Sequence, residues 1–119
     1  MHPVSYLLST SIAGLAAFTA LPALARPFIY MGAFSYTGRT DTCINQARQT
    51  LINHGFQEIR IDDSGRSQKS LAVYGYHATE AVTAQIECHQ KLGITTLGVA
   101  GTDNDATYQI YDKLYKAEW

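Results

Sequence analysis

From Phe28 onward the chain alternates between short runs of β-forming residues and stretches with apolar residues at helical spacing. Phe28 to Phe34 reads as a first strand. A polar loop containing Gly38 follows, and Thr40 or Asp41 can cap a helix by accepting a free backbone N–H. That helix is predicted to run to Asn53, with Cys43, Ile44, Ala47 and Leu51 on one side, and to stop at Asn53-His54-Gly55. Phe56 to Ile61 alternates as a second strand, Asp62 to Ser67 is a polar turn, and Ser70 to Tyr76 is a third strand. Residues from Ala78 to Lys91 read as a second helix, stopped at Gly93, and Ile94 to Ala100 as a fourth strand. A last helix spans Asn104 to Ala117, with Thr102 and Asp105 forming a capping box at its start.

This order points to an α+β domain. The expected architecture is a ferredoxin-like βαββαβ sandwich with an additional C-terminal helix. The right-handed crossover rule then makes the first two strands parallel, with the third between them and antiparallel. Side-chain alternation sorts the strands into two faces. Ile29, Met31, Ala33, Ile59, Ile61, Leu71, Val73, Leu97 and Val99 form an aliphatic set, expected beneath the first two helices. The other set carries Phe28, Tyr30, Gly32, Phe34, Glu58, Arg60, Ala72, Tyr74, Tyr76, Thr96 and Gly98.

Composition is uneven along the chain, and most so at the N-terminus. The chain has 119 residues, 46% hydrophobic and 16% charged, with a formal net charge of -1, which is the profile of one ordinary globular domain. Neither a basic excess nor a basic stripe is present, so nucleic acid is not an expected partner. The segment from Met1 to Ala25 holds no Asp, Glu, Lys or Arg; it is apolar and ends in Ala23-Leu24-Ala25 after Pro22. That pattern fits a signal peptide over residues 1–25, cut after Ala25, leaving one domain over 26–119. The alternative is an uncleaved anchor, because the apolar span is about long enough to cross a bilayer. Its Ser and Thr residues make it a poor one. The expected destination is therefore periplasmic or extracellular, with no membrane attachment after cleavage.

Cys43 and Cys88 are the only cysteines, and an even pair in an exported domain is most simply a disulfide. In the expected fold they fall at adjacent ends of two antiparallel helices, so bonding distance is allowed. A redox or metal role would call for C-x-x-C spacing, which is missing.

Candidate binding residues follow from the second face. Tyr30, Arg60, Tyr74 and Tyr76 offer stacking area and an anion anchor for a small planar ligand. Tyr108, Tyr111, Tyr115 and Trp119 form an aromatic stripe on the last helix, opposite Ile110 and Leu114, and are candidates for contact with a partner or a second copy. His54, His77 and His89 form no metal-ligand spacing, and no nucleophile-elbow, zinc-protease or phosphate-loop pattern occurs.

The pattern resembles small exported bacterial proteins of unassigned function with a two-cysteine ferredoxin-like domain. The residues that carry the likeness are Thr40-Asp41-Thr42-Cys43, Ile86-Glu87-Cys88 and Val99-Ala100-Gly101-Thr102-Asp103. The resemblance implies no activity. The expected function is a non-catalytic binding or protein-interaction module, needing no cofactor or metal. One alternative is a carrier or sensor of a small aromatic or haem-like ligand on the Tyr-bearing face. Another is a hydrolase-type enzyme using His77 with nearby Asp or Tyr side chains. Homodimerisation is a further expectation for the exposed aromatic residues.

Overall fold

The computed structural model describes residues 26–117 and 119; the expected signal peptide lies outside them. The elements are β1 (Phe28–Ser35), α1 (Thr40–Asn53), β2 (Phe56–Asp62), a single turn of 3-10 helix at Arg66–Gln68, β3 (Ser70–His77), β4 (Val82–His89), β5 (Ile94–Gly101) and α2 (Asn104–Lys116). The chain is α+β, but its topology is not ferredoxin-like. One five-stranded sheet has the order β1-β5-β4-β3-β2. Every neighbouring pair is antiparallel. β1 and β2 therefore run in the same direction but form opposite edges, joined by α1.

The difference begins at residues 82–89, which form β4 rather than a helix. Val82, Ala84, Ile86 and Cys88 are buried, whereas Thr83, Gln85, Glu87 and His89 are not. That is a period of two, and the strand buries its apolar half beneath α1. Once this segment is a strand, β3, β4 and β5 can follow one another as a meander. β1 adds at the free edge of β5, antiparallel to it.

Both helices lie on the same face of the sheet. α1 crosses β2, β3 and β4, and α2 lies across β5 and β1. The core is the layer between, built on Ile44, Ala47 and Leu51 of α1, Leu71 and Val73 of β3, Ile86 of β4, Leu97 and Val99 of β5 and Leu114 of α2. Phe56 closes the β2 end. Each large aliphatic side chain buried here contributes about 1.5–3 kcal/mol relative to exposure.

Helix starts are set by different means. Asp103 caps α2, its carboxylate accepting the Ala106 N–H at 2.8 Å, one residue beyond the expected Thr102 box. α1 has no side-chain cap from its own preceding residue. The Gln90 side chain reaches across instead, its Oε1 accepting the Thr40 N–H at 3.1 Å. The Thr40 hydroxyl in turn donates to the Lys69 carbonyl at 2.9 Å. α1 ends as expected at His54 and Gly55, whose φ of 86° suits glycine.

The disulfide joins Cys43 and Cys88, with Cα atoms 6.2 Å apart. Both residues are buried. The bridge ties the first turn of α1 to the end of β4, not helix to helix. It lies beside the buried Thr95 hydroxyl, 3.3 Å from Cys43 Sγ.

Candidate functional site

Because both helices occupy one face, the other is uncovered by any described element. The strand registers place its residues in rows. One row runs Arg60, Tyr74, Gln85, Gly98, Met31 from edge to edge. The row on one side is Gln57, Tyr76, Thr83, Ala100, Ile29, and that on the other is Asp62, Ala72, Glu87, Thr96, Ala33. The face is thus graded. Charge and tyrosine lie on β2 and β3, Thr83, Gln85, Glu87 and His89 on β4, Thr96, Gly98 and Ala100 on β5, and Ile29, Met31 and Ala33 on β1.

A shallow depression of about 320 Å³ sits on the aliphatic half, lined by Ile29, Met31, Thr83, Gln85, Thr96, Gly98 and Ala100 among others. Gly98 forms its floor, and a side chain added there would meet nothing within 4 Å. Met31 is 75% exposed and Ile29 63%. So much exposed aliphatic surface on β1 reverses the expected assignment of that strand. Tyr30 and Phe34, not Ile29 and Met31, face the helices.

The four candidate ligand residues are consequently not brought together. Arg60, Tyr74 and Tyr76 share the uncovered face, with Arg60 directly opposite Tyr74 in the β2–β3 ladder. Tyr30 lies on the helix side of the sheet. Its hydroxyl donates to Asn104, and its ring packs edge-on to Tyr108 and stacks on Tyr111, with centroids 5.4 and 5.7 Å apart. The aromatic stripe of α2 thus packs on β1. Phe34 receives Tyr115 and Trp119 edge-on, at 6.2 and 5.0 Å. Trp119 Nε1 donates to the Leu114 carbonyl at 3.1 Å. Gly32 makes this packing close, since a side chain there would come within 2.9 Å of the Tyr115 ring. Tyr108 and Tyr115 nonetheless stay 46% and 44% exposed.

The chain matches no family model, no curated protein and no solved structure. The chemistry of the site therefore rests on its own residues.

One polar constellation on the uncovered face was missed by sequence reading. Glu87 Oε1 accepts the Ser70 hydroxyl at 3.1 Å and lies 3.2 Å from His89 Nε2. The signal was the alternation Glu87-Cys88-His89, which sends both side chains to one face once the segment is a strand. The serine hydroxyl donates to the carboxylate rather than to the imidazole, although Ser70 and His89 are opposite each other in the ladder, so the pair is not arranged as nucleophile and base. His77 is also held structurally. Its Nδ1 accepts the Glu80 N–H at 3.1 Å in the β3–β4 turn, and its ring packs edge-on to Phe56. His54 Nδ1 lies 2.8 Å from the Thr50 carbonyl at the end of α1.

Electrostatics across the face are mild. The Ser64 N–H bonded to Asp62 at 3.0 Å holds that exposed carboxyl below its ordinary range. Among the described residues, no three His, Cys, Asp or Glu side chains cluster as a metal site would require. A second concavity of about 360 Å³ lies at the start of α1, beside Arg39, Asp41, Arg66, Lys69 and Gln90. Asp41 lies 3.6 Å from Arg66 there, and the Thr40 hydroxyl is bonded to the Lys69 carbonyl and to Gln90.

Proposed function

We propose that the protein is a small exported, non-catalytic module that binds a protein partner on the uncovered sheet face. The observation that carries this reading is the placement of both helices on one side of the sheet, with exposed Ile29, Met31 and Tyr76 on the other. Isolated exposed apolar residues are ordinary; a continuous apolar strip beside a polar one has the anatomy of an interface. Five strands at about 4.8 Å and eight residues at about 3.3 Å make a face on the order of 600 Å² in projection. That is comparable with the roughly 800 Å² of accessible surface per partner in standard interfaces.

A small-ligand carrier is less well supported. Small-molecule sites are concave and enclose most of their ligand. The depression at Gly98 is shallow and open, and Tyr30 is separated from Arg60, Tyr74 and Tyr76 by the sheet itself. Export is supported by the buried Cys43–Cys88 bridge, which persists in an oxidising compartment, together with the apolar, uncharged first 25 residues.

The test is parallel affinity capture from an envelope extract with three baits: the native protein, Gly98→Arg on the face and Asn45→Arg on the outer side of α1. The reading expects at least one protein retained by the native bait and by Asn45→Arg and lost with Gly98→Arg. Identical capture by all three, or capture by none, contradicts it.

A further inference from the structure

The two edges of the sheet are built differently. β2 is guarded against pairing. It carries Glu58, Arg60 and Asp62, and its register with β3 shifts at a bulge between Gln57 and Arg60, where Glu58 has a φ of 53°. Charges and bulges are how natural sheets prevent edge-to-edge association. β1 has neither device. Its sequence FIYMGAFS holds no charge and no proline, and all eight residues pair with β5 in unbroken register.

Hydrogen bonding fixes which main-chain groups of β1 turn away from β5. The Tyr36 N–H donates to the Gly93 carbonyl at 2.9 Å, continuing the β1–β5 ladder. In an antiparallel pair alternate residues direct their N–H and C=O to the neighbour. Tyr30, Gly32 and Phe34 therefore bond β5, and Ile29, Met31, Ala33 and Ser35 turn theirs outward. The Met31 carbonyl already accepts the Tyr111 hydroxyl at 3.3 Å, so at this residue a partner strand meets the N–H and the carbonyl's second lone pair.

Exposed apolar side chains gather at the same edge. Of the nine large hydrophobic residues exposed in the described chain, Phe28, Ile29, Met31, Tyr108 and Tyr115 belong to β1 or to the helix above it. We infer that β1 pairs antiparallel with β1 of a second copy of this chain, about a two-fold axis perpendicular to the sheet, giving one ten-stranded sheet.

Self-complementarity identifies the occupant. The outward residues all lie at odd positions, so a two-fold centred on Met31 sets Met31 against its own copy and Ile29 against the partner's Ala33, with their main-chain groups in phase. An uncharged edge meets no repulsion from itself. The axis also brings the two α2 helices, each lying over β5 and β1, to about 10 Å, the ordinary helix-packing distance. Tyr108 and Tyr115, left half exposed in one copy, then gain a neighbour. The uncovered sheet face stays open and doubles in width.

Sedimentation equilibrium over the micromolar range tests this, with hydrogen exchange at low and high concentration. The native protein and Gln57→Lys, on the guarded edge, should dimerise. Met31→Lys, at an exposed position, and Ala33→Pro, which removes an outward N–H, should lose the dimer while keeping the native circular dichroism. Amides of Ile29, Met31 and Ala33 should gain protection as concentration rises, and those of Tyr30 and Gly32 should be protected throughout. A native protein that stays monomeric overturns the inference. So does a dimer that survives Met31→Lys, or one that forms without added protection at Ile29, Met31 and Ala33.

Discussion

Single residues decide which way β1 faces. Ile29, Met31 and Ala33 are aliphatic, and hydrophobicity alone assigns them to the core. The opposite phase holds because α2 offers a tyrosine stripe, and rings pack best on rings. Tyr30 and Phe34 meet it, and Gly32 between them leaves space for the Tyr111 and Tyr115 rings. The clue was present in the sequence as a glycine sharing a face with two aromatics, opposite an aromatic helix. It could be used only once β1 and α2 were known to be neighbours. Burial raises the Tyr111 hydroxyl above the ordinary phenol range, with Tyr115, Asp112 and Tyr108 adding to it. The fold thus favours the neutral phenol. That contribution is complete below the unfolded phenol's pKa and is lost as pH rises through the higher folded value. Urea unfolding at stepped alkaline pH should show stability falling from the phenol range upward, and Tyr111→Phe should fall less steeply. An unchanged slope in the variant would place the cause elsewhere.

At the scale of elements, α1, β2, β3, β5 and α2 were legible to within a residue or two, because turn residues and caps bound them. Gly55 and Gly93 both have positive φ at the ends where stops were expected. β4 was not legible in the same way. Ala78 to Lys91 is rich in Ala, Glu and Gln, which favour helix. The alternation Val82, Ala84, Ile86, Cys88 competes with that composition, and tertiary burial settles the contest in favour of strand. That one element carried the topology, the uncovered face and the Ser70–Glu87–His89 contacts with it. The cap of α2 is local and can be tested locally. Asp103→Ala should cost about 1 kcal/mol by loss of the bond to the Ala106 N–H. Chemical denaturation reads the loss, and Asp103→Asn or Asp103→Ser should restore most of it.

Across the whole molecule, the disulfide expected from the two cysteines is present, but it joins a helix to a strand and not two helices. Cys43 and Cys88 still meet, because α1 lies over β4 with its first turn at the strand's C-terminal end. The bridge spans 45 residues. Closing such a loop stabilises the fold by about 4 kcal/mol on the chain-entropy account, a large share of a small domain's total. The paired variant Cys43→Ala/Cys88→Ala should lose about that much in chemical denaturation, with Thr95 left beside the vacated space. A loss under about 1 kcal/mol would mean that packing of α1 alone holds the layer.

Binding on the sheet requires one side of it to be open. Methyl-resolved relaxation in the presence of a neutral paramagnetic chelate measures this directly. Thr83, Thr96 and Ala100 should broaden strongly, whereas Ala84, Leu97 and Val99, on the same strands but beneath the helices, should barely change. Equal protection of the two sets would mean that the supposedly free side is covered, and the binding surface would not exist.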